Sequence, residues 1–221
     1  RKRIIILGVR EKTFINDGID NCETVLKDFY VNIFPKYRVQ KWSTVRDAIG
    51  DLPKLYPVED VIKGYKVKYS HAPIESEGYL NHTARFQNKR DIGVFKLLAE
   101  DIKYGRCEYT STNKLKELYT KITGKESNIH KYYVLRENEP SNTIPAHLYK
   151  DGMRHIHPDP EQARSITVRE AARLQSFADD FEFLGAMSFQ YKMIGNAVPS
   201  LFAKKIAMAL HELVNKYKLI K

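Results

Sequence analysis

Two cysteines, one His-x-His pair and one glycine-led segment are the places where side-chain type and spacing suggest chemistry. Cys22 and Cys107 stand far apart and neither belongs to a Cys-x-x-Cys pair. Zinc and a disulfide framework are both disfavoured, and a reducing cytoplasm is the natural setting. His155 and His157 form the His-x-His pair. Zinc takes three or four ligands, and no others stand at a suitable spacing, so packed or surface histidines are the favoured reading and no metal site is assigned. In Gly195-Asn196-Ala197-Val198-Pro199 the glycine admits close approach of backbone or ligand. Pro199 suits a first helical turn, where its missing N–H costs nothing. The segment reads as a loop that delivers the Asn196 carboxamide to the mouth of a helix, a place able to hold a polar or anionic ligand. An ordinary turn before an ordinary helix fits the same spacing.

The elements that must position these groups are legible in part. Thr167 followed three residues later by Glu170 is a capping box, flanked by Ile166 and Ala171 as a weak hydrophobic staple. A helix is expected from Val168 to Ser176, with Ala171, Leu174 and Phe177 inward and Arg169 and Arg173 as a basic stripe on another side. After Pro199, Phe202, Ile206, Ala209, Leu210 and Leu213 recur at helical spacing. Arg3 to Val9 is continuous, apolar and β-rich, the pattern of a strand buried in a parallel sheet. Val25 and Phe29 look like the core of a short helix. Thr44 and Asp47 form a second cap, closed by Gly50 and Pro53. Val61 to Tyr69 alternates enough for one or two strands. Asp91 opens a helix carrying Ile92, Phe95, Leu98, Ala99 and Ile102 to near Gly105, and Leu115, Leu118 and Ile122 mark another that stops at Gly124. Lys131 to Leu135 reads as a strand.

Composition narrows the partners. The 221 residues suffice for one or two domains with a sizeable core. A formal net charge of +10 fits a polyanionic partner. Charge alone leaves anionic membrane open, but no basic amphipathic helix recommends it. No apolar run approaches the ~20 residues that span a bilayer. The 14 tyrosines serve as core filler or as rings and hydroxyls against nucleic acid.

Arg164 to Leu213 then carries a resemblance. Its RSITVREAARLQSF and QYKMIGNAVP segments resemble the last two motifs of DNA (cytosine-5) methyltransferases, in the right order and about the right distance apart. Arg1-Lys2-Arg3-Ile4 resembles the end of that family's eighth motif, and TVRDAIGDLP resembles a segment that precedes its variable region. The resemblance implies an α+β chain. Residues 1–63 would give the C-terminal strands of a Rossmann-like α/β catalytic domain and a hinge. Residues 64–163 would form a small, irregular, mixed target-recognition domain, and 164–221 would return to the catalytic domain.

The same resemblance assigns roles. Arg3 falls where the family places an arginine near the target base, and a guanidinium there would stabilise charge pushed onto cytosine O2 and N3. Asn196, Ala197 and Val198 would contact S-adenosylmethionine. Arg1, Arg85, Asn88, Lys89 and Arg90 are the candidate contacts to double-stranded DNA, arginine suiting guanine, asparagine suiting adenine and lysine suiting phosphate. The family's Pro-Cys nucleophile, Glu-Asn-Val acid and Phe-x-Gly-x-Gly cofactor loop have no counterpart in this sequence, and neither cysteine follows a proline. The expectation is therefore a fragment or separate subunit of a bacterial restriction–modification enzyme. It would be cytoplasmic and nucleoid-associated, with no membrane partner. Alone it would be inactive, and it would be completed by a complementary N-terminal methyltransferase segment or subunit. The alternative is a non-enzymatic nucleic-acid-binding module derived from that fold.

Overall fold

A computed structural model describes residues 6–8, 22–63, 68–72, 79–129 and 131–219. It divides into two compact units, one of residues 1–42 with 198–221 and one of residues 43–197. The proposed contacts Arg1 and Arg3 lie outside the described residues.

The smaller unit is helical. Helix α1 (Cys22–Asp28) runs into a π turn over Phe29–Ile33 and a 3-10 turn over Phe34–Tyr37. Val25, Phe29 and Ile33 pack with Ala209 and Leu213 of the long helix α7 (Ser200–Tyr217). The expected inward face of α7 is thus right at its C-terminal half, whereas Phe202 is 37% exposed. The rim is ionic: Glu212 takes Lys36 and the Tyr37 hydroxyl, and Asp28 takes Lys216 and the Tyr217 hydroxyl. The strand read over Arg3 to Val9 is not found where the residues are described. Ile6 to Gly8 form no strand and Ile6 is 89% exposed. A parallel-sheet strand needs flanking strands, and the two strands described pair only with each other.

The larger unit mixes short helices with one hairpin. Helix α2 (Val45–Ile49) starts at Thr44, whose side chain accepts from Asp47 N while the Asp47 carboxylate returns to Thr44 N. Strands β1 (Pro57–Lys63) and β2 (Lys68–His71) pair antiparallel, with Pro57 opposite His71 and Lys63 opposite Lys68 across an irregular register. Helix α3 (Lys89–Lys103) is capped by Asn88, two residues earlier than its apolar period suggests, and buries Phe95, Leu98 and Ala99 as expected. Helix α4 (Thr112–Thr123) buries Leu115 and Leu118 and stops at Gly124, whose φ of +68° a side chain would resist. These two helices share a core with Tyr132, Val134 and Ile156.

Lys131 to Leu135 is no full strand. Val134 makes one parallel bridge to Ile156, which makes one antiparallel bridge to Ser165. A 3-10 turn over Gly152–Arg154 breaks the partner segment just before Ile156, so pairing cannot propagate. The second core gathers Val45, Ile49, Leu135, Ile144, Leu148, Ile166, Val168, Ala171, Phe183, Tyr191 and Ile194. It seats helices α5 (Val168–Leu174) and α6 (Met187–Asn196), which contain most of the two motif segments. The whole is a mixed helix-and-small-sheet chain, compatible with the α+β class.

Candidate functional site

The site begins from the cap at Thr167. Its hydroxyl accepts from Glu170 N at 3.1 Å, and Glu170 Oε2 accepts from Thr167 N at 2.7 Å. The same carboxylate takes both ends of the Arg164 guanidinium, at 2.7 Å each. Arg164 is 0% and Glu170 1% exposed, so this is a dry, bidentate ion pair. Burial alone would raise the Glu170 carboxyl. The charge and hydrogen bonds of Arg164, with His157 and His82 nearby, instead hold it far below its usual range. Arg164 also donates to Gln162 Oε1 at 2.6 Å, and that oxygen accepts Leu55 N at 3.0 Å.

Histidines close the network. His82 Nε2 donates to Pro53 O at 2.8 Å, which leaves Nδ1 to accept the Thr167 hydroxyl at 3.0 Å. His71 Nε2 donates to Gln162 O at 2.9 Å. His157 Nδ1 accepts Asp159 N, so its Nε2–H faces Glu170 at 3.6 Å. Burial, aided by the Arg164 charge, pushes His157 and His71 down to about 4, and burial with the Arg154 charge does the same to His155. His157 is therefore neutral at pH 7 and its contact with Glu170 is polar rather than ionic. His155 and His157 are both packed side chains, as their spacing suggested. Gln87 Nε2 donates to Ser165 Oγ at 2.8 Å, so the extended segment 82–88 is laced along the same stretch.

The pairing of Arg169 and Arg173 as a basic stripe is corrected. Arg169 is 0% exposed and donates to the carbonyls of Leu80, Ala178 and Phe181. Arg173 is clamped by Asp179 and Asp51. Helical spacing put them on one side but could not say that loops 80–81 and 178–183 cover it. Helix α5 also ends at Leu174 rather than Ser176, where Ser176 takes a left-handed φ of +58°.

The two motif segments meet directly. Tyr191 Oη donates to Ile166 O at 2.7 Å, and Gln175 Nε2 donates to Ile194 O at 3.2 Å. Gly195 is pressed onto the Pro145–Ala146 peptide, so closely that a Cβ would collide with backbone atoms. The sequence foresaw close approach there, and the partner is backbone. The loop reading of Asn196 is corrected: it is the last residue of α6, and Ala197 to Pro199 alone link α6 to α7. The Gln190–Asn196 run can be helical because Gly195 meets its neighbour by size, with no unusual φ. Pro199 stands at the N-cap, one residue before α7. Asn196 is exposed, without a side-chain hydrogen bond among the described residues, Ala197 is half-buried and Val198 is 57% exposed.

The remaining candidates separate. Arg85 donates to Leu148 O and Tyr149 O and lies over the Tyr191 ring at 5.6 Å, which brings it against the final motif segment. Asn88, Lys89 and Arg90 stand together, exposed, at the start of α3. Asn88 caps it, and Arg90 pairs with Asp91 at 2.9 Å. Sequence reading missed Arg164, Gln162 and His82. No simple spacing rule signalled the Gln162–Arg164 contact, because it is set by a turn in which Ala163 takes a φ of +41°.

Two outcomes follow from this geometry. Glu170→Gln leaves the Arg164 charge buried without a counter-ion and should cost about 3–5 kcal/mol in urea unfolding, more than the paired Arg164→Met, Glu170→Leu replacement. His71, His155 and His157 have folded values near 4 against an ordinary 6.5, so the unfolded chain takes up protons first as pH falls. Stability should be full above pH 6.5. Between 6.5 and 4 it should fall by up to about 1.4 kcal/mol per pH unit for each histidine, readable as a falling urea midpoint.

Comparison with known proteins agrees with the motif geometry. The type II methyltransferase M.Bpa9945I of Bacillus paralicheniformis is 33% identical over 97% of this chain and 48% of its own length. The putative type II methyltransferase M.OihORF3336P of Oceanobacillus iheyensis is 36% identical over 80% of this chain and 45% of its own. The type II methyltransferase M.Eco47II of Escherichia coli is 32% identical over 98% and 43%. The chain thus spans about half the length of these relatives. With the C-5 cytosine-specific DNA methylase profile matching residues 1–212, the chain belongs to the C-5 cytosine-specific DNA methylase family.

Proposed function

We propose that this chain is the DNA-recognition and cofactor-pocket-completing part of a restriction–modification DNA (cytosine-5) methyltransferase. The whole enzyme moves a methyl group from S-adenosylmethionine to C5 of a flipped-out cytosine in double-stranded DNA. What carries this reading is the direct bonding of the first motif segment to α6, which holds Arg164 to Phe177 and Gln190 to Ala197 in one unit, in a chain with no Pro-Cys segment. A cysteine thiolate must add to cytosine C6, so the nucleophile comes from a complementary N-terminal segment or subunit. The chain alone is inactive on this account, and its natural setting is the bacterial cytoplasm, at the nucleoid.

Asn196, Ala197 and Val198 fit one wall of the cofactor pocket. They offer a carboxamide with no side-chain partner among the described residues, next to a half-buried alanine and an exposed valine. Bound S-adenosylmethionine supplies the electrophilic methyl group. Arg3 stabilises the charge that builds on cytosine O2 and N3. Residues 64–163 form the recognition region within this reading, between catalytic parts at 1–63 and 164–221. Lys89 meets phosphate, Arg1 and Asn88 reach DNA, and Arg90 exchanges Asp91 for it. Arg85 differs: its donors hold Leu148 O and Tyr149 O, so its part is to position that loop beneath the DNA-facing surface.

Reconstitution tests the proposal. The chain should transfer no methyl group alone and should gain activity when mixed with a polypeptide bearing the Pro-Cys, Glu-Asn-Val and Phe-x-Gly-x-Gly segments. In that pair Asn196→Ala should raise the cofactor KM about tenfold, the loss of one hydrogen bond. Activity without the partner overturns the account of the missing nucleophile, and an unchanged KM overturns the pocket role. DNA binding with no activity in any mixture would favour a non-enzymatic binding module.

A further inference from the structure

Helix α6 is apolar on two opposite sides. Tyr191 and Ile194 face the core of the larger unit and are buried. Phe189 and Met193, four apart on the other side, are 63% and 44% exposed. Leu184, in the loop that leads into the helix, is 69% exposed. That loop is braced. Gln190 Nε2 donates to Phe183 O at 2.7 Å and to Gly185 O at 3.0 Å, the carbonyls on either side of Leu184. The Asn81 side chain accepts from Phe183 N and donates to Phe183 O, each at 3.0 Å. Phe181, half exposed, packs its ring on Phe183 at 4.9 Å between centroids. Large apolar side chains are thus held out to solvent on a fixed backbone, and holding a contact surface rigid lowers the entropic cost of binding to it. A helix that is apolar all round is ordinarily covered all round. Grouped exposed apolar side chains mark a surface made for a partner.

Three observations choose the partner. Lys192 is the one charged residue of α6, so the face lacks the cations and polar donors that a phosphate backbone asks for. A second copy of this chain would bring another formal charge of +10, and such a balance keeps proteins apart. The relatives, in contrast, run to about twice this length: the matched part is 48% of one and 43% of another, which leaves a polypeptide of similar size to supply the cover. The stripe also has a direction. Phe189, Met193 and Asn196 follow one another at i, i+4 and i+7, so whatever lies on the first two ends beside the Asn196 carboxamide. We propose that the face of α6 carrying Leu184, Phe189 and Met193 is the docking surface for the complementary methyltransferase polypeptide. Apolar side chains of that polypeptide bury the stripe, and the contact brings its cofactor loop next to Asn196. This rests on the complementary polypeptide of the proposed function and gives it a place on this chain.

The test reads association rather than methyl transfer. The full 221-residue chain is titrated with the polypeptide bearing the Pro-Cys, Glu-Asn-Val and Phe-x-Gly-x-Gly segments, and Kd is measured by calorimetry. Phe189→Gln and Met193→Gln should each raise Kd about tenfold or more, while circular dichroism keeps the folded spectrum, since both side chains stand in solvent. Tyr104→Ser removes a ring of similar exposure, 65%, at the C-terminal end of α3, and should leave Kd unchanged. Full affinity in both glutamine variants overturns the docking surface even where reconstitution restores activity. No association of the unsubstituted chain overturns the complementary polypeptide itself, and this proposal with it. A dimer of the chain alone that Phe189→Gln dissolves would assign the face to a second copy. Weaker binding of duplex DNA by Phe189→Gln, with no second polypeptide present, would assign it to nucleic acid. Either result overturns the proposal.

Discussion

A carboxylate and a guanidinium sealed from water, Glu170 and Arg164, set the terms on which the larger unit folds. Taking both charges out of solvent carries a desolvation cost that only close, doubly bonded geometry offsets. The geometry is met because Glu170 is held from two directions. The cap at Thr167 fixes its backbone and one oxygen, and Gln162 fixes the far edge of the guanidinium. Around this pair are gathered Leu55 N, His71 on β2, His82 before α3, and His157. Segments distant in sequence meet because each supplies one polar group that a buried charge requires. Such an arrangement favours one register over its neighbours, since a slip would strand a charge.

Local order was legible in the sequence wherever a short-range rule decides it. Both capping boxes, the stop of α4 at Gly124 and the inward faces of α3 and α4 follow from residues within a turn or two of each other. What the sequence could not disclose is which face of an element the rest of the chain covers. Arg169 and Arg173 sit at helical spacing, yet loops fold over them and supply carbonyls and carboxylates. The run at Ile4 to Leu7 has strand chemistry, but pairing is decided by neighbours, and Ile6 is open. Asn196 looked like loop because glycine and proline flank it, whereas Gly195 is helical and small for the sake of Pro145. The family resemblance was legible because its two segments are long. The individual contacts to DNA were not, because surface cations look alike in sequence.

The +10 balance of the chain also reads differently with geometry in hand. Arg85, Arg164, Arg169 and Arg173 all bind groups of the protein itself, most of them backbone carbonyls left bare by irregular loops. Guanidinium suits that work, since its planar fork can reach several oxygens from one side chain. Lys89, exposed at the start of α3, remains turned to other uses. Positive charge therefore builds a loop-rich interior first, and the surface cations available to a polyanion are fewer than the total suggests.

The abutment of Gly195 on the Pro145–Ala146 peptide has a practical consequence for recombining such proteins. Two main chains lie too near each other there for a side chain to intervene. A crossover placed between residue 146 and residue 195 would set a backbone from one parent against a backbone from another, at a joint where tenths of an ångström matter. Chimeras that exchange specificity while keeping their fold should thus inherit both sides of that joint from the same parent.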